Sequence, residues 1–229
     1  MGGSHLTNAV STLYVVATPI GNLEDVSLRS LRILGEVGAI AAEDTRVTSR
    51  LLARHKIARK RLLSYRAPVE ARGLPRVLAA LAEGDVAVVT DAGTPLLSDP
   101  GRMLVEAAWD AGHRVVPVPG PSAITSALAV AGFGGEGFTF AGYVPRKPGE
   151  RRRLFAALRD HPVVLFESPY RIRKTLEQLA AELPTARVAV CRELTKLHEQ
   201  VLRGTPAEVL AELPEPVRGE VTLVISLQP

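Results

Sequence analysis

Cysteine occurs once in the 229 residues, at Cys191, so no disulfide can form within the chain. A reducing cytoplasm is the expected setting. Aromatic residues are scarce at 4%, so the core must rest on Leu, Val, Ile and Ala. An RNP-type sheet on which bases stack is not expected. No apolar run approaches the roughly 20 residues of a membrane-spanning helix. Residues 1–11 lack the cationic start and apolar run of a secretion signal and read as a disordered leader. There is no Walker-type phosphate loop. Residues 132–137 match G-x-G-x-x-G by letter, but a helical pattern precedes them and a strand follows, the reverse of a dinucleotide fingerprint. The five histidines are scattered, and with one cysteine no metal site is expected. Gly120-Pro121-Ser122-Ala123-Ile124 lacks the second glycine of a nucleophile elbow. Ser122 therefore reads as a helix cap.

Charge is plentiful and unevenly placed. Arg50, Arg54, Lys56, Arg59, Lys60, Arg61 and Arg66 follow one another with no acid between them, a run of +7 in a chain whose net charge is +4. The remainder therefore sums to −3. Such asymmetry points to a polyanionic partner, the alternative being a solvated helix face.

Short apolar runs alternate with helical periodicity along the whole chain. Strands are expected near 13–17, 39–42, 62–64, 86–90, 115–118, 138–141, 163–166, 188–191, 199–203 and 221–227. Helices are expected after Ser27, through the start of the basic run, near 69–83, from an Asp99 cap to Ala111, from a Ser122 cap to Ala131, and near 150–159, 171–183 and 206–213. The class is α/β with largely parallel pairing. The Pro/Gly-rich 117–121 stretch marks a boundary between an N-terminal domain, 13–118, and a C-terminal domain, 119–229, behind a leader of 1–12.

Four turns, 18–22, 91–95, 119–123 and 167–169, each follow the end of an expected strand. Ligands of parallel α/β sheets bind beyond those carboxyl ends. Gly93 and Gly120 would let backbone approach a ligand closely. Four such turns on one edge favour a cofactor cleft over a set of plain tight connections.

The turns also carry a resemblance. Thr18-Pro19-Ile20-Gly21-Asn22, Glu43-Asp44-Thr45-Arg46, Asp91-Ala92-Gly93-Thr94-Pro95, Ser98-Asp99-Pro100-Gly101, Pro119-Gly120-Pro121-Ser122, Phe166-Glu167-Ser168-Pro169, Arg192-Glu193-Leu194-Thr195-Lys196 and Gly219-Glu220 stand in order along nearly the whole chain. In these segments the chain resembles the tetrapyrrole-methylase-like (class III) methyltransferases. The Glu-Asp-Thr-Arg and Arg-Glu-Leu-Thr-Lys segments resemble the branch that modifies small-subunit ribosomal RNA. The resemblance implies two α/β domains with mostly parallel sheets and S-adenosylmethionine in the cleft between them. It implies 2′-O-methylation of a cytidine ribose in 16S rRNA, free or in the small ribosomal subunit. A homodimer without a metal is implied as well. Ile20, Gly93, Thr94, Ser122, Ala123, Phe166 and Leu194 are the implied cofactor contacts. After Ser64-Tyr65 the family pattern has a His-Asn-Glu segment, whereas this chain reads Arg66-Ala67-Pro68-Val69-Glu70 and keeps only the acid.

A ribose hydroxyl is a poor nucleophile while protonated, so a general base is expected. Glu43, Asp44, Glu193 and Lys196 are the candidates, with Glu43 and Glu193 first; a surface salt bridge is the competing reading of either. Lys196 could instead pair with phosphate or lower a neighbour's pKa. RNA contacts are expected at Arg46, Arg50, Arg54, Lys56, Arg59, Lys60, Arg61 and Arg66, and at Arg146, Lys147, Arg151, Arg152 and Arg153. The rivals are a tetrapyrrole methyltransferase of the same fold and an RNA-binding module without catalysis.

Overall fold

The computed structural model describes residues 10–67, 70–133, 137–158 and 161–227. The leader expected at 1–12 lies outside these up to residue 9, as do parts of the 132–137 turn and of the 66–70 segment. The chain divides into two compact units, Met1–Pro121 and Ser122–Pro229. Among the described residues no helix is long and apolar enough to cross a membrane.

In the first unit the strands are β1 (Thr12–Val16), β2 (Ala39–Ala42), β3 (Arg61–Ser64), β4 (Val86–Val89) and β5 (Arg114–Val118). Between them run α1 (Leu28–Glu36), α2 (Thr45–Arg54), α3 (Glu70–Glu83) and α4 (Arg102–Asp110). The sheet order is β3-β2-β4-β1-β5 and every pair is parallel. From β1 to β2 to β3 the chain moves one way across the sheet; from β3 to β4 to β5 it moves back. Right-handed crossovers then put α1 and α2 on one face and α3 and α4 on the other.

The core follows that division. Leu13, Ala39, Ala41, Val86 and Val88 pack with Val77, Leu81 and Leu104. The alternate residues Val16, Ile40, Ala42, Ala87 and Val89 pack with Ile33, Leu34, Leu51 and Leu52. Covering both faces explains why the central strands read as unbroken apolar runs. Each fully buried aliphatic side chain contributes about 1.5–3 kcal/mol, so the strands form the rigid base on which their terminal loops stand. Because the connections leaving β1 and β2 diverge from the one leaving β4, crevices open at the carboxyl ends of these neighbours.

Ser27 caps α1 as expected, its hydroxyl accepting from Ser30 N–H at 3.0 Å. Asp99 does not cap α4. The helix starts two residues later than the Asp-Pro pair suggested, after Gly101 at φ 131°, a conformation open to glycine.

In the second unit α5 (Ala123–Ala131) precedes β6 (Thr139–Tyr143), α6 (Pro148–Ala156), β7 (Val163–Glu167), α7 (Ile172–Glu182), β8 (Arg187–Arg192), β9 (Gln200–Gly204), α8 (Pro206–Glu212) and β10 (Val221–Ser226). The order is β6-β7-β10-β8-β9. Only β6 and β7 pair in parallel; the other three pairs are antiparallel, which corrects the expectation of a mostly parallel second sheet. The short 193–199 connection between β8 and β9 contains no helix, and such a link can only join antiparallel strands. Helices α6 to α8 cover one face through Phe155, Ile172, Leu176, Leu179 and Val209. Helix α5 packs on the other face and buries Ile124, Ala127 and Ala131. Since β7 and β8 both run opposite to β10, the carboxyl ends of β6, β7 and β8 share one edge with the start of β10.

Candidate active site

The loops leaving β1, β2, β4 and β5 meet at one edge of the first sheet. Thr18 and Gly93 exchange both backbone hydrogen bonds, at 2.9 and 3.0 Å, and Thr18 Oγ1 donates to Thr90 O at 3.0 Å. Gly93 has φ +82°, and a Cβ there would touch Ile20 Cγ2 at 3.4 Å. Gly120 lies against Ala17: a Cβ would stand 3.0 Å from that of Ala17. Thr94 Oγ1 donates to Pro121 O at 3.4 Å. Ile20, Gly93 and Thr94, implied by resemblance as cofactor contacts, are thus gathered here. Thr90 Oγ1 is buried beside them with no partner among the described residues.

Acids line the same edge. Asp91 N–H donates to Glu43 Oε2 at 3.2 Å, and Asp44 N–H donates to Asp91 Oδ1 at 3.0 Å. Burial pushes the Glu43 carboxyl above its ordinary value, with Asp91 and Asp44 adding repulsion and the Asp91 N–H bond opposing. Burial, then Glu43 and Asp91, push Asp99 up to about 6. Sequence reasoning missed both Asp91 and Asp99. Asp91 sat inside a glycine turn, and Asp99 was absorbed into a presumed helix cap. Asp44 is committed elsewhere: it caps α2 through Arg46 N–H and accepts from the Arg46 guanidinium at 2.6 Å, which holds its carboxyl well below the usual range. Tyr65 is buried after β3, and its hydroxyl donates to Glu70 Oε2 at 3.4 Å, so the retained acid of that segment has a structural partner.

The second unit has its own loop edge. Glu193 Oε1 accepts from Lys196 Nζ at 2.8 Å and from Glu220 N–H at 2.9 Å; Lys196 Nζ also donates to Glu220 Oε2 at 2.9 Å. These bonds, Lys196's first, lower the Glu193 carboxyl's pKa. Burial works against the Lys196 charge, but its bonds to Glu193 and Glu220 lift it above its ordinary value. Glu193 is therefore a weak proton acceptor. Gly219 lies so close to the Glu193 side chain that a Cβ would collide with it. Leu194 is buried in this loop between two residues of positive φ, Glu193 and Thr195. Phe166 lies near the end of β7 among Phe140 and Tyr143. Ser122 occupies the N-cap of α5 next to Ala123, but its side chain makes no capping bond, contrary to the expected cap.

The basic residues separate into two groups. Arg46, Arg50 and Arg54 recur at four-residue spacing on α2, opposite its buried Thr48, Leu51 and Leu52, and Lys56 and Arg59 follow, all exposed. Lys60, by contrast, donates to Gly35 O and to Val37 O at the end of α1, and Arg61 pairs with Glu83 at 2.7 Å. Arg151 is buried, donating to Gln178 Oε1 at 2.7 Å and to Arg146 O at 3.0 Å, so it is withdrawn from the expected RNA contacts. Arg152 pairs with Glu182 at 3.1 Å while remaining largely exposed. Arg66, Arg146, Lys147 and Arg153 are exposed.

Residues 12–210 match the tetrapyrrole (corrin/porphyrin) methylases. A protein of Neisseria meningitidis serogroup B named ribosomal RNA small subunit methyltransferase I is 46% identical over 220 residues, covering 93% of this chain and 75% of that one. Its namesake in Thermotoga maritima is 44% identical over 218 residues, covering 93% and 97%. Among solved structures, diphthine synthase superposes with a TM-score of 0.68 at 16% identity, covering 94% of this chain and 90% of that one. The uroporphyrin-III C-methyltransferase of Thermus thermophilus complexed with S-adenyl homocysteine superposes with a TM-score of 0.64 at 20% identity, covering 95% and 98%. At those identities the structural likeness is one of fold.

Proposed function

The chain belongs to the tetrapyrrole (corrin/porphyrin) methylase family, and from that membership we propose that it methylates the ribose 2′-hydroxyl of a cytidine in 16S ribosomal RNA, using S-adenosylmethionine. The names of relatives at 44–46% identity support small-subunit rRNA as substrate. The observation that carries the reading is the cradle of bare backbone at Gly93 and Gly120, beside a buried hydroxyl of Thr90 that still has a bond to make. That combination fits a ligand with polar edges held against main chain. Ile20, Gly93 and Thr94 would hold it in the first unit, and Ser122, Ala123, Phe166 and Leu194 are its contacts in the second. When bound, the donor supplies a methyl group already activated on a sulfonium.

The chain's own work is to align the hydroxyl and to take its proton. Glu43 is the better base of the two carboxylates ranked first. Its pKa is raised toward the working range by burial, whereas Glu193 is held low by Lys196. Glu193 then serves to fix Lys196, whose ammonium suits an RNA phosphate. The exposed Arg46, Arg50 and Arg54 face provides counter-charge for the rest of the backbone. A homodimer and a cytoplasmic location belong to the same proposal.

The experiment is ribose-methylation mapping on small ribosomal subunits incubated with protein and donor. One methylated cytidine is expected in 16S rRNA. Glu43→Gln should lower the single-turnover rate by about 10²–10⁴-fold with donor affinity intact. Methyl transfer to a tetrapyrrole in place of RNA would overturn the substrate; an unchanged Glu43→Gln rate would overturn the base.

A further inference from the structure

Six of the ten aromatic residues lie between positions 138 and 170, in the second unit: Phe138, Phe140, Tyr143, Phe155, Phe166 and Tyr170. A break in β6 sets three of them side by side. Plain alternation would send Phe140 and Tyr143 to opposite faces of the sheet. Instead the register with β7 jumps from Phe140↔Val164 to Tyr143↔Phe166, one residue more on β6 than on its partner, with Gly142 at φ +69°. That bulge returns Tyr143 to the face of Phe140. Both rings then meet Phe166 edge to face, with centroids 5.0 and 5.5 Å apart. The contact braces Tyr143 yet leaves 63% of it exposed.

The loop that follows is held unusually firmly for a surface turn. Its carbonyls accept from two guanidinium groups: Arg171 donates to Val144 O at 2.5 Å and Pro145 O at 3.1 Å, and Arg151 donates to Arg146 O at 3.0 Å. Arg171 is itself anchored on Glu167 at 3.2 Å, a carboxylate with no exposed surface. With its carbonyls turned inward, the loop presents the side chains of Arg146 and Lys147 to solvent directly after Tyr143. Lys147 Nζ meets Glu150 Oε1 only loosely, at 3.5 Å, and stays exposed. An exposed ring beside exposed cations on a braced loop is the combination that binds unpaired nucleic acid, the ring taking a base and the cations its phosphates.

We propose that the Phe140–Phe166–Tyr143 ledge, with Arg146 and Lys147, is a stacking site for an unpaired base of the RNA substrate. This rests on the reading of the chain as an RNA methyltransferase and adds that the RNA is gripped as a single strand. The neighbouring cations assign the exposed Tyr143 face of the ledge to RNA, because S-adenosylmethionine carries no phosphate for Arg146 and Lys147 to neutralise; Phe166, packed behind it, stays with the donor. Scarcity of aromatics excluded a broad stacking sheet; it did not bear on a ledge assembled by a bulge.

The test uses the full chain and a single-stranded oligouridine of about 12 nucleotides carrying one 2-aminopurine. Fluorescence anisotropy reads affinity and 2-aminopurine quenching reads stacking. Donor binding is followed separately by calorimetry. Tyr143→Ala should weaken RNA binding by about 5- to 150-fold and abolish quenching, with donor affinity unchanged. Tyr143→Phe should restore both RNA readouts, and Trp109→Ala, on α4, should change neither. RNA binding by Tyr143→Ala equal to the parent overturns the inference while leaving the methyltransferase reading in place. Equal loss of donor affinity also overturns it and gives the ledge to the donor. A parent protein that binds donor but neither binds nor methylates RNA overturns the functional reading, and the inference with it.

Discussion

Replacing Asp99 by Asn isolates the electrostatics of the acidic loop edge, because it removes one charge and nearly preserves shape. Asp99 titrates near 6 in the folded protein against an ordinary 3.8, raised by burial and then by Glu43 and Asp91. A group whose folded pKa is raised binds its proton more tightly when folded. Its favourable contribution is therefore complete below about pH 4 and is lost as pH rises through about 6. At pH 7.5 an ionised Asp99 is a net cost. Each pKa unit corresponds to about 1.4 kcal/mol, but Asp99 is partly exposed, and solvent screening reduces the cost to about 1 kcal/mol. Asp99→Asn should then stabilise the protein at pH 7.5 by about that amount, or about 2–4 °C in Tm. At pH 4.5 the gain should shrink to about a third. Thermal melts at the two pH values would check this. A Tm gain equal at both pH values, or a loss at pH 7.5, would refute the assigned coupling.

Three further outcomes follow from other parts of the structure. Gly120→Ala should cost about 1–3 kcal/mol through the forced contact with Ala17, read by denaturant melts, and should weaken donor binding in calorimetry. Arg151→Ala should destabilise by about 1–3 kcal/mol because it removes a buried guanidinium and leaves the part-buried Gln178 amide oxygen and Arg146 carbonyl without their donor, whereas Arg153→Ala should leave stability within about 0.5 kcal/mol and flatten the salt dependence of RNA binding. Burial, with Glu199 adding, pushes the Cys191 thiol up to about 12, so an aromatic disulfide reagent at pH 8 should modify it only as fast as the chain unfolds; prompt stoichiometric reaction would contradict its burial.

The first sheet was legible in sequence because its strands are buried on both faces and so read as short apolar runs such as Val86–Val89 between glycine turns. Pairing direction in the second sheet was not legible. Strand β10 is fully buried whichever way its neighbours run, and only the short link after β8 hinted at a reversal. The turns carrying Ile20, Gly93 and Thr94 were found because glycine and proline punctuate them. Asp99 was misread because an Asp-Pro pair satisfies the local rule for a helix start, and tertiary burial overrode it. Arg151 was misread because a run of three arginines on a helix must turn at least one toward the body of the unit, and the sequence does not say which. The β6 bulge escaped notice because a single extra residue leaves no periodic trace.

Strand β1 lies between β4 and β5, although it is the first to be made. Leu13 finds its neighbours only when Val86 and Val115 have been synthesised. The first half of this sheet therefore has no native partner for its opening strand while it leaves the ribosome, and long-range pairing of this kind closes slowly. Since Thr18 grips Gly93 and Ala17 rests on Gly120, the first unit's share of the proposed donor site forms only with that closure. Limited proteolysis of stalled nascent chains of increasing length would thus time the completion of the unit.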